Sequence, residues 1–235
     1  MMKSVFFSLC LCLSALPGQG VAACRLALLL AIDVSSSIDD EEYALQRDGL
    51  AAAILNEDVQ AALLPNAGNT VALAVYEWSG RYQSEIKLDW TEIRTRADIL
   101  RVAETLAAAT RSQKEFPTAI GYALGFGATM LRHSPPCDDK KIDLSGDGPN
   151  NEGFAPTLAY AAFPLADVTV NALAIEATEP GLSEYYRREV VNGPGAFVIA
   201  ATGFHDFKRV MTMKLLRELG DMLMGDAAPD MRLLR

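Results

Sequence analysis

Apolar runs of strand length alternate with amphipathic stretches along most of the chain. Leu26-Ala27-Leu28-Leu29-Leu30-Ala31-Ile32 is apolar without a break, as in a strand buried on both faces of a sheet. Runs of this kind predict strands over 26–33, 70–77, 141–145, 168–176 and 196–201, with a short edge strand over 81–88. Helical spacing predicts helices over 39–56, with Tyr43, Leu50 and Ile54 on one face, and over 92–109, with Ile93, Ala97, Leu100 and Leu106 apolar. Further helices are expected over 118–132, 155–163, 181–190 and 204–224, the last with Phe207, Val210, Met211, Leu215, Leu219 and Met222 apolar. Asn66-Ala67-Gly68-Asn69 and the stretch from Ser145 to Gly153 read as turns. With no repeat and no linker, the alternation predicts one α/β domain over 24–224: a doubly wound, mostly parallel six-stranded sheet with helices on both faces. Residues 225–235 read as a loose tail.

The start of the chain changes the picture of where this domain works. Residues 1–23 have the form of a secretory signal: Lys3, a mostly apolar stretch from Val5 to Leu16, and small residues at Val21 and Ala23. The apolar stretch is too short for a membrane span, so a soluble protein, periplasmic or secreted, is expected. Against 21 basic residues stand 30 acidic ones, a formal charge of −9, and losing Lys3 makes the mature chain more acidic still. Such a charge argues against nucleic acid and anionic membrane as partners.

Cys10 and Cys12 fall in the leader, which leaves Cys24 and Cys137 for an oxidising compartment. Each precedes an expected strand. If those strands are parallel neighbours, the pair lies at one sheet edge within bridging reach and closes a loop worth roughly 4–5 kcal/mol. Val21-Ala22-Ala23-Cys24 also fits a lipobox, in which Cys24 would carry a lipid anchor. A strand starting at about Leu26 would leave that anchor almost no tether.

The candidate chemistry begins where the first strand ends. Asp33-Val34-Ser35-Ser36-Ser37 offers a carboxylate and two hydroxyls from one tight loop, an oxygen set suited to Mg²⁺ rather than to a soft metal. Ligands of doubly wound sheets bind beyond the carboxyl ends of the strands. Two further loops are expected at that edge, one with Thr118 in Phe116-Pro117-Thr118-Ala119-Ile120-Gly121 and one with Asp147 after the 141–145 strand. A strand followed by Asp-x-Ser-x-Ser, a later Thr at a helix start and an Asp-Gly after a core strand resembles the von Willebrand factor type A (vWA) domain and its metal-ion-dependent adhesion site (MIDAS). Glu77-Trp78-Ser79-Gly80, Ser145-Gly146-Asp147-Gly148-Pro149-Asn150-Asn151 and Gly193-Pro194-Gly195-Ala196-Phe197 resemble a family of exported bacterial single-domain vWA proteins of unassigned function.

The resemblance implies that Ser35, Ser37 and Thr118 touch Mg²⁺ (or Mn²⁺) directly. Asp33 and Asp147 would hold its waters or bind it in one of two states, and a protein partner would supply a carboxylate to the open position. In one departure, Glu115-Phe116-Pro117 precedes Thr118 where many members carry Gly. Asp39, Asp40 and Glu41 suggest either a second cation site or a first helical turn that favours acids. Glu77 and Trp78 are candidates for the ligand face, and Asn150 and Asn151 for shaping the turn.

A Mg²⁺-dependent hydrolase is the competing class, and a purely structural vWA domain a third. Hydrolysis needs a base near the nucleophile. The two histidines are expected elsewhere, His133 at the opposite sheet edge and His205 at the start of the last helix. No Gly-x-Ser-x-Gly, His-Glu-x-x-His or phosphate-cradling glycine loop is present. A binding module without catalytic residues is the expectation.

Overall fold

A computed structural model describes residues 23–64 and 69–220. The expected signal sequence (apart from Ala23), most of the turn expected at 66–69, Met222 and the expected tail lie outside the described residues. The strands are β1 (Cys24–Asp33), β2 (Thr70–Trp78), β3 (Ser84–Ile93), β4 (Cys137–Gly146), β5 (Thr169–Ile175) and β6 (Val198–Ala201). They form one sheet in the order β3-β2-β1-β4-β5-β6, parallel except for the β2–β3 hairpin. The α/β fold class expected from the pattern is the one observed. Every residue of β1 is buried, because this strand has strands on both sides and helices on both faces.

Helices α1 (Asp40–Ile54), α2 (Glu57–Leu63), α3 (Arg96–Ala107) and α7 (Phe207–Gly220) cover one face of the sheet. Helices α4 (Ile120–Leu131), α5 (Pro156–Ala162) and α6 (Leu182–Glu189) cover the other. Leu26, Leu28 and Leu30 point to the first layer, and Ala27, Leu29 and Ala31 to the second, as the two-residue strand period requires. Among the described residues, no helix is long and apolar enough to cross a membrane.

Several elements depart from expectation at their boundaries. The edge strand begins at Ser84 and runs to Ile93, because Ser79, Gly80 and Gln83 close a tight turn ahead of it. The helix expected from residue 92 therefore starts at Arg96, capped by Thr95, and buries Ile99, Val102, Ala103 and Leu106 while Leu100 stays exposed. The helix expected over 39–56 ends at Ile54. Asn56, read as its tail, instead caps α2 by accepting hydrogen bonds from the N–H groups of Asp58 and Val59.

Cys24 and Cys137 are direct partners in the β1–β4 register, with Cα atoms 4.4 Å apart, and are joined by a disulfide. Cys137 is the first residue of β4 rather than a residue before it. The bond occupies Sγ of Cys24, the atom a lipid anchor would need, so the disulfide replaces the lipobox alternative. It sits at the amino end of the strands, opposite the edge where β1 delivers Asp33.

Candidate metal centre

Strand order reverses at β1 and β4, so a crevice opens beyond their carboxyl ends. Three loops meet there. The first leaves β1 at Asp33, whose side chain is fully buried. Oδ1 of Asp33 accepts a hydrogen bond from the Ser35 N–H at 2.8 Å, while Oδ2 is buried without a hydrogen-bond partner. Nη2 of Arg111 holds this loop from below, donating to the carbonyls of Val34 (3.1 Å), Ser35 (3.0 Å) and Ile38 (2.7 Å). Nε2 of Gln46 donates to the carbonyl of Asp33 at 3.1 Å.

The second loop brings Thr118, two residues before α4, with Oγ1 3.2 Å from Oγ of Ser35. Its backbone is clamped by the third loop. Asn151 Oδ1 accepts from the Thr118 N–H at 2.9 Å, and the Asn151 N–H returns a 3.0 Å bond to the Thr118 carbonyl. Asn150 Oδ1 takes the Gly121 N–H at 3.3 Å, a cap for α4 that its own leading residue Ala119 does not supply. The substitution of Phe116-Pro117 for glycine leaves this loop well tied: Ser36 N–H donates to the Phe116 carbonyl at 2.8 Å, and Ala119 N–H to that of Ser79 at 3.0 Å.

The third loop leaves β4 at Gly146-Asp147. Ser37 Oγ donates to Oδ1 of Asp147 at 2.8 Å and lies 3.3 Å from Ser35 Oγ. Gly146 is required by closeness: a Cβ there would stand 2.6 Å from the Tyr186 hydroxyl and 2.8 Å from Oδ2 of Asp33. Asp33, Ser35, Ser37, Thr118 and Asp147 are thus brought into one oxygen-lined cluster.

Its electrostatics are those of a cation site without a protein cation. Burial pushes the Asp33 carboxyl from 3.8 to about 8, the Asp147 charge adds to this, and the Ser35 hydrogen bonds oppose it. Burial also raises Asp147, against the Ser37 hydrogen bond. Among the described residues, no lysine or arginine pairs with either carboxylate, and no group of three or more His, Cys, Asp and Glu side chains is placed to hold a metal ion without hydroxyl ligands. The donors are two carboxylates and three hydroxyls, hard oxygens that fit Mg²⁺ or Mn²⁺ with waters completing the shell. The unsatisfied Oδ2 of Asp33 is an oxygen that such an ion would engage.

Other expectations fare differently. Asp39 caps α1 in a reciprocal box with Glu42, and Asp40 pairs with Lys114 and Arg111, so both are engaged in helix and loop structure. Glu77 and Trp78 are buried and line no ligand face. Glu77 instead accepts from Tyr43 Oη (2.8 Å) and the Ser112 N–H (2.7 Å), with Lys87 Nζ at 3.3 Å. His133 is exposed at the far end of α4, and His205 is exposed in the 3-10 turn Phe204–Asp206. Sequence reasoning missed Arg111, Gln46 and Tyr186. Each acts from another element, and no local sequence signal marks its role.

Comparison with known proteins bears on the family and the fold. The profile of a family described as "Protein of unknown function (DUF1194)" matches residues 23–223. Among curated proteins, no sequence match is found. The fold resembles proximal thread matrix protein 1 from the mussel byssus, in a structure described with a zinc-occupied MIDAS motif (TM-score 0.62, 17% identity, 85% of this chain and 48% of that one). It also resembles a von Willebrand factor type A protein from Catenulispora acidiphila (TM-score 0.61, 14% identity, 84% and 43%). A third similar structure is the PilB minor pilin from Streptococcus sanguinis (TM-score 0.61, 13% identity, 89% and 64%). The chain spans about half the length of the first of these. At such identities the likeness is one of fold, and that fold is vWA-like.

Proposed function

The chain belongs to the family described as proteins of unknown function (DUF1194), and from that membership and its oxygen-lined crevice we propose that it is an exported, metal-dependent protein-binding module. Asp33, Ser35, Ser37, Thr118 and Asp147 hold Mg²⁺ or Mn²⁺, and a carboxylate of a partner protein completes the ion's shell. One observation carries this reading: a fully buried carboxylate with an unsatisfied oxygen faces three hydroxyls and a second carboxylate at the switch point of the sheet. Such an arrangement is costly unless a cation resolves it. The zinc-occupied MIDAS motif described for the byssus protein supports the same assignment. The disulfide and the signal-like leader support export, because such bonds persist in oxidising compartments.

The hydroxyls are read as ligands and not as nucleophiles. Ser35 and Ser37 hydrogen-bond to each other, and within the cluster to Thr118 and Asp147, while both histidines sit on other elements. Titration calorimetry of the mature protein with Mg²⁺ and Mn²⁺ tests the reading. Binding that is lost in Asp33→Ala is expected, and chelator should abolish capture of the partner from periplasmic extract. Equal binding by wild type and Asp33→Ala sinks the metal site. Metal-dependent turnover of phosphate or ester substrates, lost in Ser35→Ala, would replace the module by a hydrolase.

A further inference from the structure

The core between the sheet and α7 holds a second cluster of ionisable groups, remote from the metal centre. Lys141 and Asp143 come from β4, Lys214 and Glu218 from α7, and Asn171 from β5 beside Asp143. Lys214 and Glu218 are wholly buried and Asp143 is 1% exposed. Nζ of Lys214 lies 2.8 Å from Oδ1 of Asp143, yet its aligned hydrogen bond goes to Oε1 of Glu218 at 2.9 Å. Neither oxygen of Asp143 has a hydrogen-bond partner. The amine thus directs a hydrogen to Glu218 while standing against the carboxyl of Asp143.

Glu218 is fixed in place. Both its oxygens accept from Nδ2 of Asn171 at 2.8 Å, and Nζ of Lys141 stands 3.5 Å from Oε2. The Gly193-Pro194-Gly195 turn, with φ of 96° and 70° at its glycines, delivers Phe197 to the same place. The Phe197 N–H donates to Oδ1 of Asn171 at 2.9 Å, and its ring centre lies 4.8 Å from Nζ of Lys214. The aromatic ring and the apolar core shut water out.

We propose that Lys214 and Asp143 condense to an intramolecular amide that ties α7 to β4, with Glu218 relaying the proton. Neutral Nζ of Lys214 attacks Cγ of the protonated Asp143 carboxyl and forms the new N–C bond. Glu218 takes a proton from that nitrogen and passes it to the departing hydroxyl, the Cγ–O bond breaks, and one water leaves. The step consumes no oxidant, reductant or co-reactant. Transfer of a proton from Lys214 to Asp143 gives the neutral reactants as a minor state of the pair, from which the condensation draws. Burial raises the Asp143 carboxyl to about 6 against the pull of Lys214, which eases its protonation, whereas for Lys214 burial is outweighed by Asp143 and Glu218, which raise its amine above the ordinary value, so the neutral amine is the scarce reactant. Glu218, whose oxygens are taken up by Asn171 and Lys141, is the poorer electrophile. The product replaces two buried opposite charges by one neutral group and leaves Lys141 and Glu218 as a balanced pair, which removes desolvation cost. Fixed proximity is what allows so slow a condensation to proceed.

Mass spectrometry of the exported mature chain, denatured and with its disulfide reduced, tests this. The wild type is expected to fall short of its sequence mass by one water and to yield a digest product joining the segments around Asp143 and Lys214. Lys214→Arg should show its full mass, and the near-isosteric Glu218→Gln should fold with a wild-type near-ultraviolet dichroism spectrum and remain unlinked. Folded wild-type chain at full sequence mass overturns the proposal. A deficit of one ammonia overturns Asp143 as the acyl group, because that loss comes from the amide of Asn171.

Discussion

Replacing Asp33 by asparagine removes one ionisable group from the centre and leaves the shape of the side chain almost unchanged. In the metal-free protein the Asp33 carboxyl titrates at about 8, against 3.8 for the free group. A carboxyl raised on folding binds a proton in the native state that the unfolded chain has released. Stability therefore falls as pH rises from about 4 to about 8. At about 1.4 kcal/mol per pH unit, the ionisable carboxyl costs metal-free wild type on the order of 4 kcal/mol at pH 7. Asparagine keeps an oxygen for the Ser35 N–H and escapes this cost. In chelator, Asp33→Asn should match wild type near pH 4 and exceed its Tm by on the order of 10 °C at pH 7.

Mg²⁺ should reverse that order. Wild type gains the binding free energy on the folded state alone, whereas the asparagine variant gains almost none. Because the proton competes with the ion, wild-type affinity should weaken about tenfold per unit below pH 8, with about one proton released per ion bound. Thermal unfolding by circular dichroism from about pH 5 to pH 8.5, with chelator or with Mg²⁺, reads both effects beside calorimetry. A Tm difference between the two proteins that does not change with pH refutes a neutral Asp33. An Mg²⁺ affinity flat between about pH 6 and 8 refutes proton competition at the centre.

The other expectations follow from single contacts. Asn151→Ala removes the acceptor of the Thr118 N–H and should weaken Mg²⁺ binding by roughly 10–100-fold while the fold persists, as calorimetry would show. Cys24→Ser with Cys137→Ser opens a link spanning 113 residues and should cost roughly 4–5 kcal/mol in denaturant unfolding. Its Mg²⁺ affinity should be unchanged, because the disulfide lies at the far end of the sheet. Gly121→Ala would place a Cβ 2.1 Å from the Phe154 carbonyl oxygen. It should destabilise the protein by about 1–3 kcal/mol or more, since backbone must move, and lower the yield of folded protein.

Much of the architecture was legible because it is written in local periodicity. The unbroken apolar run of β1 marked a strand buried on both faces, and the spacing of Tyr43, Leu50 and Ile54 marked a face of α1. Signals of similar strength misled at the boundaries. Asp89 to Ile93 joined β3 because the pairing partner Val71-Ala72-Leu73 extends that far. Asn56 looked like the end of one helix and caps another. The candidate site was legible as chemistry, with three loops carrying hard oxygens at strand ends. Its support was not: Arg111, Gln46 and Tyr186 reach the site from other elements.

By itself, then, the sequence determined the alternation of strands and helices, the presence of Cys24 and Cys137 ahead of apolar runs, and the side-chain oxygens of Asp33, Ser35, Ser37, Thr118 and Asp147. The tertiary structure decided which of these meet. Register set Cys24 against Cys137, and strand order put Asp33 beside Asp147. It also decided which charges are buried, stripping Oδ2 of Asp33 of every partner and enclosing Lys214 with Asp143 and Glu218. The reason is physical. Periodicity records only which side of an element faces away from water, whereas the cost of a buried charge depends on neighbours that packing brings from a hundred residues away.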